Sequence, residues 1–173
     1  MNIGGFQPFT LSDFPGCPSA ILFTQGCNFR CPYCHNRSLW DVRQETADLE
    51  EDRVCSFLKK RAGRLEGVVI TGGEPTLQPD LCTFAEKLKC LGFKVKLDTN
   101  GSTPSVLKEL TKRKLLDYIA MDIKAPEEKY HLLCGLPIEL EKIRQSIDII
   151  ASSGIDHHFR TTLFRKVLDD DDM

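Results

Sequence analysis

Short apolar runs alternate with helical periodicities along most of the chain. Ser19 to Gly26 (SAILFTQG), Gly67 to Gly73 (GVVITGG), Phe93 to Gly101 (FKVKLDTNG), Asp117 to Lys124 (DYIAMDIK) and Asp156 to Phe164 (DHHFRTTLF) predict five strands. The β-branched residues in these runs, and the glycine or polar punctuation around them, favour extended backbone. Between them the apolar residues recur at helical spacing. Leu81, Phe84, Leu88 and Leu91 follow Asp80, a candidate N-cap, and stop at Gly92. Leu140, Ile143, Ile147 and Ile150 repeat the spacing up to Gly154. Leu49, Val54, Phe57 and Leu58 predict a helix between the first two strands, and Val106, Leu107 and Leu110 one after the third. A glycine just past the last apolar position suits a left-handed helix end. Repeated strand–helix units imply parallel strands joined by right-handed crossovers, so the expected class is α/β.

The residues that follow each strand carry the functional signal. The first strand leads into GCNFRCPYCHN, the second into GGEP, the third ends in DTNG and the fourth in DIK. In a barrel or open sheet of parallel strands the carboxyl ends form one rim. Motifs distant in sequence therefore meet there.

Bulk properties narrow the classes. The 173 residues suffice for one domain with a hydrophobic core, 41% apolar and 28% charged. A formal net charge of −2 without a strongly basic stretch argues against a nucleic-acid partner. The N-terminus has neither a basic start nor a long apolar run, and no segment reaches the length of a membrane span. A cytoplasmic protein without a membrane partner is expected. Residues 1–18 read as an N-terminal extension, 19–164 as the strand–helix repeats, and 165–173 (RKVLDDDDM) as an acidic, solvated tail, all within one domain.

Eight cysteines in a reducing compartment read as free thiols or metal ligands. Cys27, Cys31 and Cys34 are clustered as C-x3-C-x2-C, whereas Cys17, Cys55, Cys82, Cys90 and Cys134 are scattered and left outside the site. Two readings fit the cluster. With His35 it makes a Cys3His zinc module, although the adjacent Cys34 and His35 would have to turn inward on one ion. Alternatively, three thiolates hold a [4Fe-4S] cube with one iron open, which serves an enzyme or a plain electron carrier.

Together CNFRCPYC, with Tyr33 as its aromatic, and GGEP resemble the radical S-adenosylmethionine (SAM) enzymes. LSDFPG, FTQGCNFRCPYCHN, VVITGGEPTLQ, KVKLDTNGS, YIAMDIKAPEEKY and FRTTLFR resemble one branch, the activating proteins of anaerobic ribonucleoside-triphosphate reductase. DTNG and DIK are shared with other glycyl-radical activases, including those of pyruvate formate-lyase. The resemblance implies a partial (β/α) barrel of parallel strands, shortened at the C-terminus relative to the six-strand form. It implies that Cys27, Cys31 and Cys34 ligate three irons and that the fourth iron binds SAM. An electron from flavodoxin or ferredoxin would then cleave SAM, and the resulting radical would take hydrogen from a glycine of the partner reductase.

Further roles follow from the same resemblance. Gly72 and Gly73 would admit the ligand to the backbone, with Glu74 supplying negative charge near the SAM ammonium. Asp98 and Asn100 would hold the ribose or, with Thr99 and Asp122, a monovalent cation. Lys124 and Arg160 would meet the SAM carboxylate. Tyr33 would pack near the adenine, and Asn36 would contact the cofactor or order the cysteine loop. Plainer readings stand beside these: turns for GGE and DTNG, an ion pair for Asp122 and Lys124, a structural salt bridge for Arg160. Asp13 resembles a position near the target glycine and is equally a turn residue before Pro15 and Gly16. His157 and His158 read as ordinary strand residues.

Overall fold

The computed structural model describes residues 1–42 and 50–172. Among these residues, six strands form one sheet in the order β1 to β6. They are β1 (Ile3–Thr10), β2 (Ser19–Thr24), β3 (Gly67–Gly72), β4 (Lys94–Thr99), β5 (Tyr118–Asp122) and β6 (Asp156–Arg160). Five helices accompany them: α1 (Glu51–Arg61), α2 (Leu81–Cys90), α3 (Pro104–Lys112), α4 (Glu127–Cys134) and α5 (Leu140–Ser152). Strands β2 to β6 are parallel, the arrangement of a partial (β/α) barrel. Each predicted strand is present but stops a few residues early, so the motif residues turn off into loops. Leu49 of the first predicted helix lies outside the described residues.

Two elements escaped the periodicity. β1 lies in the stretch read as an extension and pairs antiparallel with β2, from Ile3 opposite Thr24 to Thr10 opposite Ser19. Its two glycines and Pro8 disguise it, yet proline is tolerated because β1 is an edge strand with one neighbour. α4 is short and only weakly amphipathic. Its signals are Pro126 before it, Glu127 and Glu128 in the first turn, and Gly135 at φ +71° after it.

The helix ends correct one detail and match another. Asp80 stands at the N-cap position of α2 but makes no cap bond, its carboxylate meeting the Met1 ammonium instead. Gly92 and Gly154 do adopt left-handed φ after α2 and α5. The expected solvated tail is only partly so, because Leu168 is buried and Asp172 pairs with Lys129.

Side-chain alternation divides the sheet. On the helix-covered face Leu22, Ile70, Leu97, Ile119 and Met121 pack with Leu58, Phe84, Leu88, Leu107 and Leu110. Each such side chain contributes roughly 2 kcal/mol by leaving water. The opposite face is apolar at its lower end, where Phe14, Cys17, Ile21 and Val69 cluster. Toward the carboxyl ends it becomes charged. The register aligns Thr24 with Gly72, Thr99 with Met121, and Asp122 with Arg160, which brings the motif-bearing ends to a common rim.

Candidate active site

The segment after β2 is a closed loop. Its base is tied by Gly26 N–H to Leu39 C=O at 2.9 Å and Cys27 N–H to Trp40 C=O at 3.0 Å. Within it, Cys34 N–H donates to Cys31 C=O, and Phe29 N–H points to Cys27 Sγ at 3.4 Å. Arg30 donates to the carbonyls of Cys27 (2.6 Å) and Phe29 (3.0 Å), and Arg37 donates to the Pro32 carbonyl. Both guanidinium groups lie over Trp40, 5.4 and 5.7 Å from its ring centre. Arg30, inside the cysteine motif, and Trp40, beyond it, thus shape the loop. A basic residue inside the motif and the chain's single tryptophan were the available signals.

The three thiols line one cavity of about 300 Å³. Its walls also include Tyr33, His35, Asn36, Gly72, Gly73, Glu74, Asp98, Asn100, Asp122, Lys124 and Arg160. Every residue assigned to the cofactor from sequence is therefore brought to one place. Burial pushes the Cys27 thiol up to about 11 and raises Cys31 as well, although Lys124 opposes this at Cys31. Ligation must then displace protons from these thiols. The donor set suits an iron–sulfur cluster: three soft ligands, a half-enclosed cavity and a cation close to Cys31. Among the described residues, no three or more His, Cys, Asp and Glu side chains stand as the ligands of a single metal ion would. Thiolates of a cluster each address a separate iron and stand farther apart.

The glycines at the end of β3 are fixed by the protein before any ligand. A Cβ on Gly72, at φ +118°, would lie 2.3 Å from Thr24 N. A Cβ on Gly73 would lie 2.2 Å from the Gly26 carbonyl oxygen. Gly73 N–H donates to Thr24 C=O, and Glu74 N–H to Gly26 C=O, both at 2.8 Å. The GGE turn is stitched to the cysteine loop, and its missing side chains allow that contact.

Glu74 is also turned inward. Its carboxylate accepts from Thr76 N–H, Thr76 Oγ1 (2.6 Å), Thr99 Oγ1 (2.7 Å) and Asn100 N–H (2.7 Å). Burial raises its pKa despite these four donors. Glu74 thereby pins the end of β4 beside the end of β3. The turn reading of DTNG also holds: Thr99 Oγ1 accepts from Gly101 N–H, and Asn100 Oδ1 from Ser102 N–H. The Asn100 amide reaches Asn28 Oδ1 at 3.0 Å.

A chain of charges crosses β4, β5 and β6. Lys96, only 2% exposed, pairs with Asp98. Arg160 meets Asp98 at 3.3 Å and Asp122, and Lys124 meets Asp122 at 2.8 Å. Burial works against the ionised forms of Asp122 and Lys124, but their mutual attraction keeps both charged. The predicted Asp122–Lys124 pair is thus mostly buried rather than solvated. Lys96, which sequence reasoning passed over, completes a set of three cations against two carboxylates. Lys124 also lies 5.8 Å from the Tyr33 ring centre, and Tyr33 packs on Phe164. Among the described residues, the buried Tyr33 hydroxyl has no partner.

Asp13 accepts from Thr10 and Ser12 in a turn and is held below its usual range by Thr10, with Lys96 and Arg160 adding to the effect. His158 hydrogen-bonds Tyr118 at 3.0 Å. Cys134, left outside the site by its sequence position, is fully buried beneath the cysteine loop. Burial pushes its thiol up to about 12.

Residues 21–173 match the Radical SAM superfamily. A Methanocaldococcus jannaschii protein, provisionally named a glycyl-radical enzyme activating enzyme, is 37% identical over 99% of this chain and 72% of its own length. The pyruvate formate-lyase-activating enzyme of Staphylococcus epidermidis is 34% identical over 68% of this chain. The alignment spans about half (51%) of that relative. In fold, the chain is similar to TYW1 (TM-score 0.65, 21% identity), covering 92% of this chain and 61% of that one. It is also similar to anSMEcpe with bound AdoMet (TM-score 0.59, 24% identity), covering 78% and 40%. The chain belongs to the radical SAM superfamily and, within it, to the glycyl-radical enzyme activating enzymes. Among the described residues, no helix is long and apolar enough to cross a membrane.

Proposed function

We propose that this chain reductively cleaves SAM at a [4Fe-4S] cluster and generates a glycyl radical on a partner enzyme, anaerobic ribonucleoside-triphosphate reductase. The observation that carries the reading is the shared cavity. Three cysteines of one loop face the carboxyl ends of β3 to β6, with Lys124, Arg160, Asp98 and Asp122 at the wall and Lys96 paired to Asp98 outside it. When bound, the cluster supplies an electron and SAM the 5′-deoxyadenosyl radical that takes hydrogen from a glycine Cα.

The chain's own part is binding, orientation and exclusion of water. Cys27, Cys31 and Cys34 hold the irons. Lys124 and Arg160 receive the SAM carboxylate, favoured by the surplus positive charge of their network. The exposed backbone around Gly72 and Gly73 addresses the ammonium, while Asn36 and Tyr33 border the adenosine. Asp98 and Asn100 serve the ribose. Asp98 and Asp122 are already matched by Lys96, Arg160 and Lys124, so the proposal requires no separate monovalent cation. Flavodoxin or ferredoxin delivers the electron.

A second target, pyruvate formate-lyase, is favoured by the relatives that carry that activity in their names. The test is anaerobic reconstitution with iron, sulfide, SAM and reductant in the presence of each candidate partner. Electron paramagnetic resonance (EPR) should show a glycyl radical in one of them, together with release of 5′-deoxyadenosine. A reduced cluster that releases none above background would sink the activase reading and leave an electron carrier.

A further inference from the structure

We infer that Lys96 is a positioning residue for the SAM site: its buried ammonium fixes Asp98 and supplies the counter-charge that the resemblance assigned to a monovalent cation. The inference rests on the radical SAM reading and deepens it. Lys96 is 2% exposed and pairs with Asp98 through Oδ1. Residues two apart on a strand share a face, so Lys96 reaches along β4 toward the carboxyl end where Asp98 stands. Its register partners are Val69 on β3 and Tyr118 on β5, both part of the apolar patch on that face. An ammonium enclosed among such neighbours is retained with a paired carboxylate.

The ion pairs at the rim form a closed set. Asp98 Oδ1 meets Lys96, and its Oδ2 meets Arg160 at 3.3 Å. Asp122 Oδ1 meets Arg160, and its Oδ2 meets Lys124 at 2.8 Å. Every oxygen of the two carboxylates thus faces a cation, and Asp98 is held from two sides. Each oxygen keeps a second lone-pair site, which leaves Asp98 able to accept from a ribose hydroxyl. Asp98, Asp122, Lys124 and Arg160 line the cavity, whereas Lys96 lies outside its wall and acts through Asp98. Charge balance shows what Lys96 adds. Three cations against two carboxylates leave one positive charge, which the SAM carboxylate neutralises. Without Lys96 the set is neutral before binding and one charge negative after it. A cation from solution must then offset the excess, because a partly enclosed site is screened less than the surface.

The experiment titrates SAM into the reduced, reconstituted protein and follows the EPR signal. It is run at one ionic strength in chloride salts of K+, Na+ or tetramethylammonium, the last too bulky to sit between carboxylates. Wild type should bind SAM equally in all three. Lys96→Met keeps the stem and removes the ammonium. It should match wild type in iron and sulfide, bind SAM roughly tenfold more weakly in tetramethylammonium, and recover most of that loss in K+ or Na+. Lys96→Gln, whose amide still donates to Asp98, should show the same demand for a cation and serves if the Met variant does not fold. In the metal-free protein, adding Asp98→Asn to Lys96→Met should restore much of the lost thermal stability, since no carboxylate is then stranded. Additive losses overturn the inference. A several-fold gain of wild type in K+ or Na+ also overturns it, as does a Lys96 variant that binds SAM like wild type in tetramethylammonium. A weakened variant that neither cation rescues does the same, since a merely structural lysine gives that result. All of these leave the radical SAM reading standing. Reduced wild-type protein that binds no SAM in any salt overturns that reading and the inference with it.

Discussion

Gly73 stands so close to Gly26 that a Cβ on the former would lie 2.2 Å from the carbonyl oxygen of the latter. The GGE turn therefore bears on the loop that carries the thiols. A side chain at position 73 would push on backbone, which cannot swing aside as a flexible side chain can. Gly73→Ala should lower both iron incorporation and SAM affinity. The measurement is iron and sulfide per chain after reconstitution, followed by SAM titration of the reduced EPR signal. Wild-type iron content with impaired SAM binding would show that the two loops are independent.

The cysteines divide into ligands and bystanders. Replacing Cys27, Cys31 or Cys34 with Ala should abolish the intact cluster, since each addresses its own iron. Cys82→Ala and Cys90→Ala should retain it, as these thiols lie on α2. Cys134→Ala should also retain it, despite its position beneath the loop. Iron stoichiometry and EPR decide the matter, and a fully active cluster in Cys31→Ala would remove the ligand assignment.

Glu74 holds two strand ends together through four donors. Glu74→Ala should destabilise the metal-free protein by roughly 3 kcal/mol, because buried donors on Thr76, Thr99 and Asn100 lose their acceptor. Glu74→Gln should lie between, since its amide turns a donor toward at least one donor. Chemical denaturation measures the difference. A loss under about 0.5 kcal/mol would show that water replaces the carboxylate.

Arg160 bridges Asp98 and Asp122 at the rim, from the end of β6. Arg160→Gln should leave iron content unchanged and weaken SAM binding roughly tenfold or more, the scale of one charge-assisted hydrogen bond. The reduced-cluster EPR titration reads both. If the variant binds SAM as wild type does, Arg160 serves only the salt bridge.

Acid should loosen the rim in a defined window. Burial pushes Asp122 upward, but Lys124 and then Arg160 outweigh it and hold the carboxyl below its ordinary range. A depressed native pKa contributes stability that is complete above the unfolded value, about 3.9, and fades as pH falls through the native one. The metal-free protein should lose stability below about pH 4, and Asp122→Asn should flatten that dependence. Denaturant midpoints taken from pH 6 down to pH 2 test it, and equal slopes in both proteins would deny Asp122 a share.

The predicted strands, the cysteine motif and the convergence of four motifs on one rim were legible in the sequence, because each depends on local spacing or on the strand–helix rhythm. β1 was hidden by Gly4, Gly5 and Pro8, whose extended state comes from pairing with β2 rather than from their own preference. The roles of individual polar residues were decided elsewhere. Glu74 looked like a group for the ligand, yet its acceptors are filled by residues 99 and 100 across the sheet. Lys96 stood within one of the quoted stretches but suggested no role. Its importance comes from sheet register, which joins the Lys96–Asp98 pair to Arg160 and Asp122. A sequence specifies backbone periodicity over a few residues at a time. The partner that satisfies a buried charge or hydroxyl is set by distances that exist only after distant segments have packed.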